Sequence, residues 1–171
     1  MRKYYTTGFL LFLVVSASIA QPIYDRSAGV RLGVTSGFTF KKFFTPEEAL
    51  EVILSGRREG IQLTTMYQFH QPLELSFNEN FYFLYGIGGH VGYENYDNLN
   101  KTIVTADLSR YIFEDKSYFV IGADAIVGVE FRWLSVPCTI GFDIKPYFNF
   151  IGLRYTQYRF WDSAITFKYV F

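Results

Sequence analysis

Residues 162–171 read DSAITFKYVF, and their two-residue rhythm restricts the fold more than any other feature of the chain. Ser163, Ile165, Phe167, Tyr169 and Phe171 fall on one face of an extended strand, and Asp162, Ala164, Thr166 and Lys168 on the other. Residues 118–133 repeat the pattern over a longer run. Phe119, Ile121, Ala123, Ala125, Val127, Val129, Phe131 and Trp133 make one unbroken apolar face. The opposite face carries Asp124, Glu130 and Arg132 together with Gly122 and Gly128. Strands with one apolar and one charged face suit a barrel whose outside meets lipid and whose inside is polar.

Composition agrees with that reading. Aromatic residues make up 20% of the chain, with 19 Phe and 14 Tyr, yet mean hydropathy is only +0.10. Helical membrane proteins show long apolar runs. In a transmembrane barrel the two alternating faces cancel in the average. One apolar run does occur, Gly8 to Val15, preceded by Arg2 and Lys3 and followed by small residues ending at Ala20. It is too short to span a bilayer and matches a secretory signal peptide over residues 1–20, cleaved before Gln21. Roughly 150 residues then form one domain, 21–171. Without Arg2 and Lys3 the 16 basic residues fall to 14, against 16 acidic, so no basic surplus points to nucleic acid. Cys138 is the sole cysteine; an internal disulfide and a lipid-modified N-terminal cysteine are both excluded.

The alternation predicts an all-β fold, an eight-stranded antiparallel up-and-down transmembrane β-barrel. Its strands are expected at 30–40, 49–57, 61–71, 80–93, 102–113, 118–133, 138–150 and 161–171. Residues 46–57 fit a helix starting at Pro46 or a strand entering the Arg58-Glu59-Gly60 turn, and the short turn favours the strand. Residues 102–113 alternate poorly and enter mainly to make the count even, which keeps both termini on one side. Turns at 58–60 and 134–137 are then periplasmic, and 41–48, 72–79, 114–117 and 151–160 are outer loops. Pro146 lacks an N–H and is expected at a strand end or a bulge. A soluble sandwich or lipocalin-like cup would alternate too, with its polar face wet. The aromatic load, the leader and the aromatic last strand favour the membrane barrel.

The chain resembles the small eight-stranded outer-membrane barrels of Gram-negative bacteria, the OmpA-transmembrane-domain and OmpX type. The alternating strands and the terminal KYVF carry the resemblance. It implies that Ile165, Phe167, Tyr169 and Phe171 form the C-terminal signal read by the barrel assembly machinery, and that outer-membrane lipid and lipopolysaccharide surround a monomer. Members of this group range from structural anchors to lipid-modifying enzymes, so fold alone does not choose the function.

The same parity places Arg31, Lys41, Glu51, Arg57, Glu94, Asp124, Glu130, Arg132, Asp143, Lys145, Asp162 and Lys168 in the lumen, six basic and six acidic. An eight-stranded barrel is just filled by side chains. The expected result is a salt-bridged plug, because unpaired charges there carry a large desolvation cost. A lipid A deacylase-like enzyme would need Ser, His and an acidic residue near the outer rim. Only His70, Glu74 and Ser76 meet that need, and HQPLELS lacks the His-x-Ser pattern such enzymes carry. His90, among glycines, has Gly92 rather than a second ligand two residues on, so a lumen pair with a carboxylate suits it better than a metal. No cofactor is expected. The reading is therefore a structural outer-membrane barrel serving envelope integrity or surface interaction, with a lipid hydrolase or a soluble secreted ligand-binding barrel as alternatives.

Overall fold

The computed structural model describes residues 24–57, 60–75, 78–96, 116–133, 136–151 and 155–171. The expected signal peptide therefore lies outside the described residues. Ten strand segments occur: β1 (Arg26–Gly33), β2 (Ser36–Phe43), β3 (Glu48–Arg57), β4 (Gly60–Leu75), β5 (Asn78–Tyr96), β6 (Lys116–Arg132), β7 (Cys138–Ile144), β8 (Tyr147–Ile151), β9 (Tyr155–Arg159) and β10 (Ser163–Val170). All pairings are antiparallel, and β7 and β8 both lie against β6, while β9 lies against β8 and β10 against β7. Each of those couples is one wall strand, so the wall has eight. β1 and β10 close it, from Ser27 opposite Val170 to Gly33 opposite Ala164. Arg26 and Phe171 add a reciprocal backbone pair, at 3.0 and 2.9 Å. The molecule is thus a closed eight-stranded antiparallel barrel, and residues 48–57 are a strand.

The interruption at Lys145-Pro146 has a local cause. Pro146 cannot donate to the ladder, although its carbonyl accepts from the Ala125 N–H at 2.9 Å. Arg159 stands opposite Tyr147, and the Lys145 N–H donates to the Asp162 carbonyl at 2.9 Å. Phe160 and Trp161 therefore face Pro146 alone, which is the bulge expected there.

Two strand assignments change. Residues 30–40 are not one strand; β1 and β2 form a hairpin that turns at Val34-Thr35. Arg31 lies opposite Gly37, so the turn centres on Val34 and contains an odd number of residues, which preserves the alternation: Leu32, Val34, Phe38 and Phe40 all stay outside and Arg31, Thr35 and Thr39 inside. The pattern therefore runs through the turn without a mark. The Arg31 guanidinium donates to the Thr35 carbonyl at 2.7 Å and to its hydroxyl at 2.6 Å, holding the turn from within. Residues 102–113 lie outside the described residues. β5 and β6 pair directly, from Phe81 opposite Phe131 to Tyr96 opposite Lys116, so no wall strand stands between them. The count of eight survives because the first strand splits where the fifth is lost.

That exchange reverses the sidedness of the first half. The β3–β4 connection lies at the end distal to the termini, not beside them, and the β2–β3 and β4–β5 connections lie at the terminal end. The segment 58–60 and the segments 41–48 and 72–79 therefore exchange ends relative to the sequence expectation. The connections after β6 and β8 keep theirs.

Inside, the apolar core is small: Ile53, Met66, Leu84 and Ile126 form one patch, and Tyr24, Phe43 and Ala49 another near the termini. Two glycines make room for bulk. A Cβ on Gly122 would lie 2.6 Å from the His90 imidazole nitrogen, and one on Gly88 would lie 2.6 Å from the Met66 sulfur.

Candidate functional site

The lumen is the site this fold builds. All twelve charged residues that parity assigns to the interior are buried there. They sort into layers along the axis. At the terminal end Glu130 of β6 accepts from Lys41 of β2 at 3.0 Å, from the Arg132 Nε at 3.1 Å and from the Tyr24 hydroxyl at 2.6 Å. Lys168 of β10 stands 3.6 Å from the same carboxylate. Tyr24 precedes β1; its burial and then the Glu130 carboxylate push its phenol well up, so it stays protonated and donates. The Arg132 guanidinium lies 3.6 Å from the Tyr82 ring centroid and 4.9 Å from that of Tyr24.

Glu51 organises the next layer. It accepts from Lys168 at 2.8 Å, from the Thr39 hydroxyl at 2.5 Å and from the Gln68 amide. Lys41, 3.9 Å away, links this layer to the first. Further along, Arg31 donates to Asp143 at 2.6 Å, and the Thr35 hydroxyl reaches Asp162 at 2.7 Å. Lys145 bridges Asp162 at 3.4 Å and Asp124 at 2.9 Å, and Asp124 takes the His90 Nδ1 at 2.6 Å. At the distal end Arg57 pairs with Glu94 at 3.6 Å, stacks on the Tyr147 ring at 4.1 Å and donates to its hydroxyl.

Several of these bridges cross the barrel. Lys41 on β2 reaches Glu130 on β6, and Glu51 on β3 reaches Lys168 on β10. Side chains from facing walls therefore meet on the axis, and Glu130, Glu51, Asp124 and Asp162 each serve two or more donors or cations. This is the arrangement that offsets charge burial in a low-dielectric interior.

Sequence parity puts Thr35, Thr39 and Tyr147 on the charged face but singles out neither Tyr24 nor Tyr82 and shows none of their partners. Tyr24, Tyr82 and Tyr147 line the lumen as cation partners, and Thr35 and Thr39 complete the carboxylate shells. The aromatic partners carry no signal against a background of so many Tyr and Phe. His90 does take a lumen carboxylate, Asp124.

Two of the three hydrolase candidates lie among the described residues. His70 lies in the lumen near the terminal end, 1% exposed, with its Nε2 3.1 Å from the Lys41 ammonium and its ring on Phe43. Glu74 is exposed on the same strand, and Ser76 lies outside the described residues. Among the described residues no group of three His, Cys, Asp or Glu is placed to hold a metal ion. On the outer face Ile165, Phe167, Tyr169 and Phe171 all point away from the lumen.

No protein-family model, curated protein or solved structure matches this chain. The fold and the site by themselves define the class: a closed eight-stranded antiparallel β-barrel with an ion-paired, side-chain-filled interior.

Proposed function

We propose that this protein is a structural outer-membrane barrel, monomeric, with a sealed polar lumen, contributing to envelope integrity or surface interaction. One observation carries the reading: the barrel is inside out relative to a water-soluble one. Its exterior exposes Leu32, Phe38, Leu54, Ile87, Val91, Phe119, Val127, Phe142, Ile165 and Phe167, while its interior buries twelve charged side chains. Soluble proteins rarely leave contiguous apolar surface of this extent in water. Closure of the wall supports the reading as well, since only helices and edge-free barrels satisfy their backbone in hydrocarbon.

Exposed aromatics stand along the wall and at both of its ends. Phe44, Trp133, Tyr169 and Phe171 lie at the terminal end, and Tyr93, Phe119, Tyr158, Phe160 and Trp161 at the distal end. Rings at those heights suit the two membrane–water interfaces. In a bacterial outer membrane the terminal end is periplasmic, and lipopolysaccharide surrounds the distal end. The barrel assembly machinery is the partner during biogenesis.

Fractionation with the outer membrane, together with altered gel mobility of the unheated sample, tests the class; recovery as a soluble periplasmic protein overturns it. Val127, midway along β6 and facing outward, supplies a sharper test. Val127→Arg lowers unfolding free energy in lipid vesicles by about 2–4 kcal/mol, the cost of a cation at the lipid midplane. A variant as stable as the parent shows that this face does not meet lipid. The sealed lumen has its own readout. Reconstituted in planar bilayers, the pure protein shows no steady ion conductance, because ion pairs such as Lys41–Glu130 bridge the axis. Reproducible open-channel currents would contradict the plug.

A further inference from the structure

The inner face of the wall carries one cation that the ion-pair network leaves over. The register sets Arg159 of β9 opposite Tyr147 of β8, whose ring lines the lumen beneath the Arg57 guanidinium. The Arg159 side chain therefore belongs to the inner face. Each of the twelve buried lumen charges lies within ion-pair distance of an opposite charge, and they balance, six basic against six acidic. Arg159 is exposed, and its guanidinium has no ion-pair or hydrogen-bond partner among the described residues. Topology explains the exposure. β1 stops at Gly33, level with Ala164, and no described strand stands beside β9 above the β1–β2 turn.

Two unused donors adjoin this guanidinium on the same face. Tyr147 is its direct cross-strand neighbour, a placement that sets Cβ atoms about 4.5–5.5 Å apart. The Tyr147 hydroxyl accepts from Arg57, which leaves its own proton to donate. Asn149 is the diagonal neighbour, about 7–8 Å away. It is wholly buried, and neither atom of its amide has a hydrogen-bond partner among the described residues. Its neighbour on β6 is Gly122, which has no side chain to serve it. A buried amide left so is uncommon and points to a ligand. The nearby acids are engaged elsewhere: Glu94 by Arg57, Asp124 by Lys145 and His90, and Asp162 by Lys145 and Arg31. A guanidinium, a hydroxyl proton and an amide N–H thus share one region of the distal mouth with no acceptor from the described protein.

We propose that this distal mouth binds an oxyanion, a phosphate group free in solution or carried by a lipid headgroup, with Arg159 as its cation and Tyr147 and Asn149 as further donors. The guanidinium fork matches phosphate geometry. Lys145, bridging Asp124 and Asp162, closes the lumen beneath, so the anion is held at the mouth and does not pass through. The site goes beyond the structural role proposed above and does not depend on it.

The barrel, folded in neutral maltoside micelles, is titrated with inorganic phosphate while nuclear magnetic resonance follows the Arg159 Nε–H and the backbone amides of residues 155–159. These signals are expected to shift saturably. In Arg159→Gln, followed by the same amides, affinity should fall about tenfold, the loss of one charge-assisted hydrogen bond. Tyr147→Phe and Asn149→Ala should each weaken binding about threefold, the loss of a neutral one. Arg26→Gln, at the other end of the barrel, should leave the titration unchanged. Phosphatidylglycerol added to the micelles separates the two sources. Competition with phosphate assigns the site to a headgroup, and undisturbed phosphate binding assigns it to a soluble anion; either result upholds the site. Signals that move with neither phosphate nor phosphatidylglycerol overturn the proposal. So does binding that stays as tight in Arg159→Gln protein that keeps the folded gel mobility.

Discussion

Replacing Glu130 with Gln is expected to lower the unfolding free energy by about 3–5 kcal/mol, the usual cost of breaking a buried ion pair from one side. Glu130 is wholly buried, and three cations converge on it: Lys41 at 3.0 Å, Arg132 at 3.1 Å and Lys168 at 3.6 Å. Gln keeps the volume and can still accept the Tyr24 hydroxyl, so any loss reports charge rather than shape. Lys168 retains Glu51 at 2.8 Å, whereas Arg132 has no other carboxylate partner among the described residues. Its guanidinium is left on the faces of Tyr82 and Tyr24, which compensate a full charge only in part. Asp25→Asn, which disturbs an exposed pair with Arg26, should change stability little. Urea unfolding in vesicles measures both. A loss at Glu130 as small as that at Asp25 would mean that the lumen is hydrated and the network weakly coupled.

Changing Phe171 to Asp should separate assembly from stability. Phe171 pairs its backbone with Arg26 in both directions, stacks on Tyr169 with ring centroids 6.4 Å apart, and points outward. The backbone pair does not depend on the side chain. The residue lies at the terminal end of the wall, where a charge costs the folded barrel only about 0–1 kcal/mol. Purified Phe171→Asp protein therefore folds into vesicles nearly as stably as the parent. On the outer-membrane reading proposed above, the variant is expected to be exported and processed but to accumulate in the periplasm, degraded or aggregated, because Asp interrupts the aromatic pattern of Ile165, Phe167 and Tyr169 proposed as the assembly signal. Quantitative fractionation beside the parent decides the matter. Normal outer-membrane levels of the variant would show that these four side chains do not guide assembly.

How much of this architecture is legible in the chain depends on the range of the interaction concerned. The helix or strand ambiguity at residues 46–57 resolves as β3 because the segment pairs along its whole length with both β2 and β4. Propensity over Glu47 to Leu54 points the other way, and ladder pairing overrides it. The hairpin centred on Val34 is invisible because its odd-length turn pairs residues of like parity, Arg31 with Gly37 and Val30 with Phe38, and so leaves the alternation intact, and no Asn-Gly or Asp-Gly marks it. One such omission moved every later strand in the first half by a place and put His70 at the wrong end of the barrel. The bulge at Pro146 was legible because a missing N–H is a property of the residue itself.

By itself, then, the sequence determined which side of the wall each residue occupies. Side chains on a strand alternate with period two, and burial of a charge on one face or exposure of an aromatic on the other writes that period directly into the chain. Arg31, Glu51, Asp124, Glu130 and Lys168 could be placed inside without knowing any neighbour. Only the tertiary structure decided who meets whom. His90 finds Asp124 because β5 lies beside β6 in one particular register, and Lys41 finds Glu130 across the axis because closure brings β2 opposite β6. Register and closure come from long-range backbone pairing, which carries no local signature. The ends of the barrel and the partners of each buried charge both belong to that second level.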